Sequence, residues 1–338
     1  MKQVACLTLL LFLTTGLNAQ VSVHVKGQVI NTNNQELLFI ENDECLIPIN
    51  LGSDGTFTSE LKCRQLPSFV TISSVSKRGK IKQHLPRIWF TSDSVKITLD
   101  IENYSFQTPN RTNFQDLSEK VEALGKKERL TFLVENYNHI PALYFIEREK
   151  RNMALDDLKK IYQEVQSQYG DFVYVRRLGS FIDVKNRSKI NIGSKLEDFH
   201  LPDKNGDYQS VLANTPKQKL VVILSSGCLY SIASISLLEQ FYKINKEHGE
   251  HVELITIWED KSKDIWLDHQ SDSKNKIVWA NLWDEYGFAS MYFNLKIWPT
   301  FYVISDDGIL IEKFIGCNKK AAKRLERLIR ASLPTNRA

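Results

Sequence analysis

An unbroken apolar run followed directly by a helical pattern constrains the fold of this chain more than any other feature. Leu220–Leu224 (LVVIL) contains no polar residue, which is the pattern of a strand buried on both faces of a sheet. From Ile232 onward apolar residues recur at helical spacing, and Val252–Trp258 (VELITIW) repeats the buried-strand pattern. Strand, helix and strand in this order predict a parallel βαβ unit with a right-handed crossover.

A β-hairpin and a closing helix are predicted after this unit. The segments TFYVIS and ILIEKFI flank a turn at Asp306-Asp307-Gly308, which is typical of a hairpin. The last helix is expected from Asn318 to about Ser332, with leucine and isoleucine inward and Lys or Arg outward. We interpret this basic face as solvated.

Two regions of different composition precede the α/β pattern. Residues 20–107 contain short β-prone runs separated by turn clusters, which predicts a small all-β domain. In residues 108–190 charged and apolar residues alternate at helical intervals, which predicts a helical connector. Residues 191–338 then form the α/β domain, so three folded regions are expected.

The first residues have the pattern of an export signal. Lys2 supplies a positive start, Val4–Leu13 is apolar, and a small-residue cleavage site precedes Gln20. The apolar run is shorter than the ~20 residues of a membrane-spanning helix, so cleavage of residues 1–19 is favoured over anchoring. The sequence therefore predicts an exported protein, periplasmic or in the cell envelope, with no membrane span after cleavage.

Charge and composition exclude some function classes. Lysine and arginine total 44 against 40 acidic residues, and the net charge of +4 gives little support for nucleic-acid binding. His24 and His84 have no neighbouring ligands at metal-site spacing. Neither a metal nor a cofactor is predicted.

Four cysteines lie beyond the predicted signal: Cys45, Cys63, Cys228 and Cys317. Disulfides persist in exported proteins, and a Cys45–Cys63 bridge would close a short loop, which stabilises by about 3 kcal/mol. The sequence supports equally well that Cys45 and Cys63 are two unpaired, half-buried thiols.

Cys228 lies at the junction of the first buried strand and the following helix. Unsatisfied backbone N–H groups and the positive end of the helix dipole favour a thiolate at such a position. A thiolate there is a nucleophile at neutral pH. The alternative interpretation is a small buried residue without chemistry.

The order of elements over about residues 191–335 resembles the thioredoxin fold, especially exported TlpA-like and ResA-like proteins. Cys228 opens the first helix and Trp298-Pro299-Thr300 enters the hairpin, as in that family. The resemblance implies a cis Pro299 facing the active cysteine, beside an edge where an extended substrate pairs. The β-rich segment resembles a small domain of unknown function that precedes such domains in exported bacterial proteins.

The active stretch departs from the family pattern of Trp-Cys-x-x-Cys. Gly227 replaces the tryptophan, Ser231 occupies the position of the resolving thiol, and Val222 stands where some relatives carry a buried acid. Cys228 could attack a disulfide, but the ordinary intramolecular release of the mixed disulfide is missing. Exchange or thiol trapping is therefore favoured over dithiol reduction.

Candidate site residues follow from this resemblance. The candidate catalytic residues are Cys228, Ser231, Pro299 and Cys317, and the candidate substrate-binding residues are Tyr230, Trp298 and Thr300. Cys317 ends the hairpin strand near the expected helix start, so we predict that it replaces the missing thiol. The alternative is that Cys317 only fills space.

Three functions are compatible with the sequence. The leading hypothesis is an exported thiol-disulfide oxidoreductase or exchange protein whose partners are thiol or disulfide-bearing exported proteins and a redox donor. The second is a redox-inactive thioredoxin-fold binding module. The third is a thiol peroxidase, disfavoured because no proline stands at Val221.

Overall fold

A computed structural model describes residues 20–31, 36–76, 80–109, 111–213, 215–271 and 277–332. The predicted export signal, residues 1–19, lies outside the described residues. The chain divides into two compact units, Met1–Glu119 and Lys120–Ala338. Within the described ranges, no helix combines the length and the apolar composition needed to cross a bilayer.

The N-terminal unit is built from short strands. Those described are β1 (Val21–Ile30), β2 (Glu36–Glu41), β3 (Leu46–Ile49), β4 (Thr56–Cys63), β5 (Ser68–Ser76), β6 (Ile81–His84), β7 (Ile88–Phe90), β8 (Ser94–Asp100) and β9 (Ser105–Gln107). One sheet has the order β4-β1-β8-β9, and the other has the order β3-β2-β5-β6 with β7 paired to β5. Alternate residues of both sheets enter one hydrophobic core, so this region is all-β, as predicted.

Helices follow the β-rich region: α1 (Asn113–Ala123), α2 (Lys126–Glu135), α3 (Ile140–Glu149), α4 (Leu155–Tyr169) and α5 (Val173–Asn186). Helix α4 buries one stripe of apolar residues, and α3 is buried at most of its positions. From Lys120 onward these helices belong to the same compact unit as the α/β elements.

The C-terminal elements are β10 (His200–Pro202), β11 (Tyr208–Ser210), β12 (Gln218–Leu224), α6 (Leu229–Glu247), β13 (Val252–Trp258), α7 (Lys263–Ser271), β14 (Ala280–Trp283), α8 (Phe288–Tyr292), β15 (Thr300–Ile304), β16 (Leu310–Ile315) and α9 (Lys319–Ser332). The main sheet has the order β14-β13-β12-β15-β16. β12, β13 and β14 are parallel, whereas β15 and β16 are antiparallel to their neighbours. This is the thioredoxin-like fold that the sequence predicted.

Helices cover both faces of the sheet. Val222 and Leu224 point to the face on which α6 and α9 pack, and Val221 and Ile223 point to the face on which α8 packs. Burial on both faces explains why β12 has an unbroken apolar sequence.

The register brings the carboxyl ends of three parallel strands to one edge. Leu224 pairs with Trp258, and Trp258 pairs with Trp283. The residues that directly follow these strands, Ser225, Glu259 and Asp284, therefore lie near one another, and Cys228 follows three residues after Ser225.

Candidate functional site

Cys228 is the N-cap residue of α6, with an extended backbone at φ −108 and ψ 111. Its carbonyl accepts the first helical hydrogen bond, from the N–H of Ile232 at 3.1 Å. The half-buried thiol donates to the carbonyl oxygen of Trp298 at 3.5 Å. The cysteine therefore lies at a helix N-terminus and contacts the Trp298-Pro299 loop.

Two polar side chains position the loop before Cys228. The backbone N–H and the hydroxyl of Ser226 both donate to the Asp260 carboxylate, at 2.8 and 2.7 Å. The backbone N–H of Ser225 donates to the Ser231 hydroxyl at 3.2 Å. Asp260 follows the end of β13 and Ser231 belongs to α6, so the loop is held between these two elements.

Ser231 occupies the position where the resemblance places a resolving thiol. Its side chain is 0% exposed, and its hydroxyl accepts the Ser225 hydrogen bond. A catalytic role for Ser231 remains a prediction, and the contact that the structure gives it is a structural one.

The Trp298-Pro299-Thr300 segment enters β15. The Trp298–Pro299 peptide bond is cis. Thr300 is buried, and its hydroxyl donates to the Ile297 carbonyl at 2.6 Å, so its side chain supports the loop itself. Pro299 is also buried, and its carbonyl accepts the backbone N–H of Gly316 at 3.1 Å.

Exposed apolar residues adjoin Cys228 and Trp298 in the sequence. Tyr230, a predicted substrate contact, is 67% exposed, and its neighbour Leu229 is 85% exposed. Ile297, before the half-buried Trp298, is also exposed. Leu229 and Ile297 were not among the predicted site residues, although an apolar residue beside a helix-start cysteine is a usable signal in the sequence.

Cys317 is half-buried, and it lies just after the end of β16. Gly316 has a left-handed backbone at φ 85, so the alternation of the strand does not continue to Cys317. The segments of Cys228 and Cys317 hydrogen-bond to consecutive residues, Trp298 and Pro299. Reaction between the two sulfurs remains a prediction.

Three carboxylates follow the ends of β13 and β14 and were not among the predicted site residues: Glu259, Asp260 and Asp284. Ser290 joins two of them, since its hydroxyl donates to Glu259 Oε2 at 2.5 Å and its N–H to Asp284 Oδ2 at 3.1 Å. Burial raises the pKa of Asp284 to about 7, although backbone N–H groups from Phe288 to Ser290 oppose the shift.

The pKa of Glu259 is also raised, chiefly because the side chain is desolvated. The Ser290 hydroxyl, the Trp298 indole N–H and the Arg177 guanidinium oppose the shift, whereas the Asp260 charge adds to it. Glu259 thus lies close to Trp298, whose carbonyl accepts the Cys228 hydrogen bond.

Cys45 and Cys63, in the N-terminal unit, are free thiols in the structure. Both contact the Asn42 side chain, whose amide donates to Cys63 Sγ at 3.2 Å and whose oxygen accepts from Cys45 Sγ at 3.4 Å. Burial raises the pKa of both thiols. The predicted disulfide between them stays a prediction.

In the described ranges, no three His, Cys, Asp or Glu side chains are placed to hold a metal ion.

No family model and no curated protein matches the chain. Solved structures do match its C-terminal part. A protein assigned as the thiol:disulfide interchange protein DsbE from Chlorobium tepidum is 19% identical, with a TM-score of 0.39, and the match covers 43% of this chain and 99% of that one.

Two further structures give similar values. The C-terminal domain of a protein assigned as a thiol-disulfide oxidoreductase from Bacteroides thetaiotaomicron is 20% identical with a TM-score of 0.37, and the match covers 43% of this chain and 99% of that one. StoA from Bacillus subtilis is 16% identical with a TM-score of 0.34, and the match covers 40% of this chain and 95% of StoA.

Proposed function

We propose that this protein is an exported thiol-disulfide exchange protein with Cys228 as its nucleophile. The observation that carries the proposal is the position of the Cys228 thiol, half-buried at the N-terminus of α6 and bonded to the Trp298 carbonyl. The thiolate is the form that attacks disulfides, so the reaction requires the thiol to release the Trp298 carbonyl and lose its proton.

The first step forms a mixed disulfide. The Cys228 thiolate attacks one sulfur of a partner's disulfide, a new S–S bond joins the two proteins, and the partner's other sulfur leaves as a thiolate that takes up a proton. The number of disulfides does not change in this step.

A second thiol must then release Cys228. If a partner thiol attacks, the partner's disulfides are rearranged without net oxidation. If Cys317 attacks the Cys228 sulfur, the partner leaves as a thiol and a Cys228–Cys317 disulfide forms, which an external dithiol donor must reduce. Ser231 has no sulfur and cannot perform this step, so exchange is favoured over efficient reduction.

The apolar surface around the thiol supports binding of a polypeptide substrate. Leu229, Tyr230 and Ile297 are exposed around a thiol that contacts the Trp298 carbonyl. An extended segment that carries the partner's cysteine would gain apolar contacts with these residues and main-chain hydrogen bonds with the Trp298-Pro299 loop.

The compartment follows from the pattern of residues 1–19. A positive start, an apolar run and a small-residue cleavage site favour export to the periplasm or cell envelope. Disulfide-bearing partners persist in such oxidising compartments.

The proposal is tested with purified protein and glutathione disulfide. We expect intact-mass and peptide analysis to locate a glutathione adduct on Cys228, to show its loss in Cys228→Ser and to show its retention in Cys45→Ser. A wild-type protein that forms no adduct at Cys228 would contradict the proposal.

One observation favours a second candidate, a binding module without redox chemistry. Ser231 is fully buried and committed to a structural hydrogen bond, as expected if the motif serves only the fold. Partner capture by Cys228→Ala in non-reducing cell-envelope extracts discriminates the two. A binding module keeps its partners in this variant, whereas an exchange protein loses those held by disulfides.

A further inference from the structure

Two consecutive carboxylates, Glu259 and Asp260, directly follow the end of β13. The Glu259 N–H donates to the Leu224 carbonyl at 2.9 Å, so the pairing with β12 extends to this point. Consecutive residues of an extended chain point to opposite faces of a sheet. Glu259 contacts Ser290 of α8 on one face, and Asp260 contacts Ser226 in the loop that leads to α6 on the other. The two carboxylates therefore reach different elements from one strand end.

Asp260 holds the loop that precedes Cys228. Its side chain is buried, and its two oxygens accept the backbone N–H and the hydroxyl of Ser226 at 2.8 and 2.7 Å. The carbonyl of Ser225, in the same loop, accepts the Cys228 N–H at 3.0 Å. The position of Cys228 thus depends on a loop that Asp260 fixes with two charge-assisted hydrogen bonds.

Glu259 faces the loop on the other side of the thiol. Its Oε2 accepts the Ser290 hydroxyl at 2.5 Å, and its carboxylate interacts with the Trp298 indole N–H. That N–H is buried, and none of the described residues accepts from it at full hydrogen-bond geometry, so Glu259 is the acceptor available to it. The carbonyl of the same tryptophan accepts the Cys228 thiol. Glu259 and Cys228 therefore act on two ends of one residue.

The exchange reaction breaks the contact between the thiol and the Trp298 carbonyl. The thiol loses its proton before it attacks, so the carbonyl loses the donor that ties this loop to Cys228. A polypeptide substrate that pairs with the loop needs the loop to stay in place. The Gly316 N–H anchors Pro299 from β16, and Glu259 reaches Trp298 from β13. Both anchors are independent of the thiol.

The burial of neighbouring carboxylates is unfavourable for folding. Desolvation and the charge of Asp260 raise the pKa of Glu259, and the Arg177 charge only partly opposes them. Desolvated titratable groups with specific charged neighbours are more common at functional sites than elsewhere. The cost in stability is understandable if both carboxylates position groups that the reaction uses.

We propose that Glu259 and Asp260 are positioning residues for exchange at Cys228, with separate tasks. Asp260 places the thiol, and Glu259 holds the Trp298-Pro299 loop to which the main chain of the partner binds. The inference rests on the proposed exchange function. Because the two contacts are separate, the two residues should have different kinetic effects.

Two disulfides with the same leaving group separate these tasks. One is glutathione disulfide, and the other is a short extended peptide whose cysteine carries glutathione. In both, the Cys228 thiolate attacks one sulfur, a mixed disulfide forms, and glutathione leaves as a thiolate that takes up a proton. The peptide can pair along the Trp298-Pro299 loop, which glutathione is too short to do. Quenched samples of the full chain give both rates by mass spectrometry.

Glu259→Ala should slow the peptide reaction at least about fivefold and leave the glutathione disulfide reaction near wild type, because only the loop is released. Asp260→Ala should slow both reactions at least about tenfold, because the thiol itself is displaced. Glu259→Gln keeps an accepting oxygen and should restore most of the peptide rate. If Asp260→Ala does not fold, Ser226→Ala removes one of the two contacts and should slow both reactions.

Glu253→Ala is the matched control for loss of stability. Glu253 lies near the start of β13, at the other end of the strand from Glu259, and pairs with the buried Lys219 at 2.8 Å. Urea unfolding should show a loss of stability in this variant, with both rates unchanged. Rate losses that simply follow stability in all variants would overturn the proposal, as would a Glu259→Ala variant that slows both reactions equally or neither.

Alkylation of Cys228 by iodoacetamide separates this inference from the proposed function. If wild type reacts with neither disulfide, the exchange function fails. An alkylation rate that changes in Asp260→Ala or Ser226→Ala, but not in Glu253→Ala, would still support the placement of the thiol by Asp260, and an unchanged rate would refute it. If wild type reacts with both disulfides and every variant behaves like Glu253→Ala, the exchange function stands and the positioning roles fail.

Discussion

The Cys228 thiol donates a hydrogen bond to the Trp298 carbonyl, 70 positions further along the chain, at 3.5 Å. The contact joins the loop after β12 to the loop before β15, two strands that pair antiparallel in the centre of the sheet. The proposed nucleophile is therefore held between two neighbouring strands of the sheet, next in sequence to the exposed Leu229 and Tyr230.

Asp284→Asn should change how stability depends on pH. The pKa of Asp284 is raised from 3.8 to about 7, so the folded state holds a proton that the unfolded state has lost between these values. The protonated Asp284 carboxyl therefore contributes fully to the free energy of unfolding below pH 3.8, and this contribution is lost as pH rises through about 7. Each unit of pKa shift corresponds to roughly 1.4 kcal/mol. Asn carries no charge, so the variant should lose much of this dependence.

Urea unfolding at about pH 5 and about pH 8 measures this effect. The variant should gain stability relative to wild type on going to the higher pH. Asp207→Asn, at an exposed position, serves as the control and should leave the difference unchanged. A parallel pH response of Asp284→Asn and wild type would contradict the prediction.

Ser226→Ala should destabilise the loop that carries Cys228. It removes the hydroxyl that donates to a buried Asp260 oxygen, which costs about 1–3 kcal/mol because the oxygen loses a partner. Denaturant unfolding provides the measurement. The neighbouring Ser225→Ala is the matched control, since the hydrogen bonds of Ser225 in this loop use its backbone N–H and carbonyl, and equal losses would argue against the assigned contact.

Ser231→Cys should introduce the missing intramolecular release. The new thiol follows Cys228 by one helical turn, so a Cys228 mixed disulfide with glutathione should have a shorter lifetime than in wild type. The change also weakens the acceptor of the Ser225 N–H, at a cost of about 1 kcal/mol. Ser234→Cys, a further turn away, should leave the lifetime unchanged, and an equal shortening there would refute the intramolecular route.

Cys317→Ser should lengthen the lifetime of the Cys228 mixed disulfide. Both cysteines lie in segments bonded to the Trp298-Pro299 loop, so we expect the Cys317 thiol to reach the Cys228 sulfur when the loop moves. Quenched samples analysed by mass spectrometry give the lifetime, with Cys63→Ser as the control. Identical lifetimes in wild type and Cys317→Ser would leave Cys228 dependent on an external thiol.

The sequence by itself determined the elements of the fold and their order. The apolar run Leu220–Leu224 predicted a strand buried on both faces, and the spacing of Ile235, Leu238 and Phe241 predicted the buried side of α6. The helix stops at Glu247, and Gly249 shortly after it has a left-handed backbone at φ 95, a conformation that favours glycine. Burial periodicity and backbone conformation are local properties, so they can be seen in a short window of sequence.

Only the tertiary structure decided which side chains meet around Cys228. Ser226 and Asp260 are 34 positions apart, and Glu259 and Ser290 are 31 apart, yet each pair is hydrogen-bonded because parallel strands end at one edge. Local periodicity specifies which face of an element is buried. Long-range side-chain contacts depend on strand register and helix packing, and these are determined by interactions between residues that are far apart in the sequence.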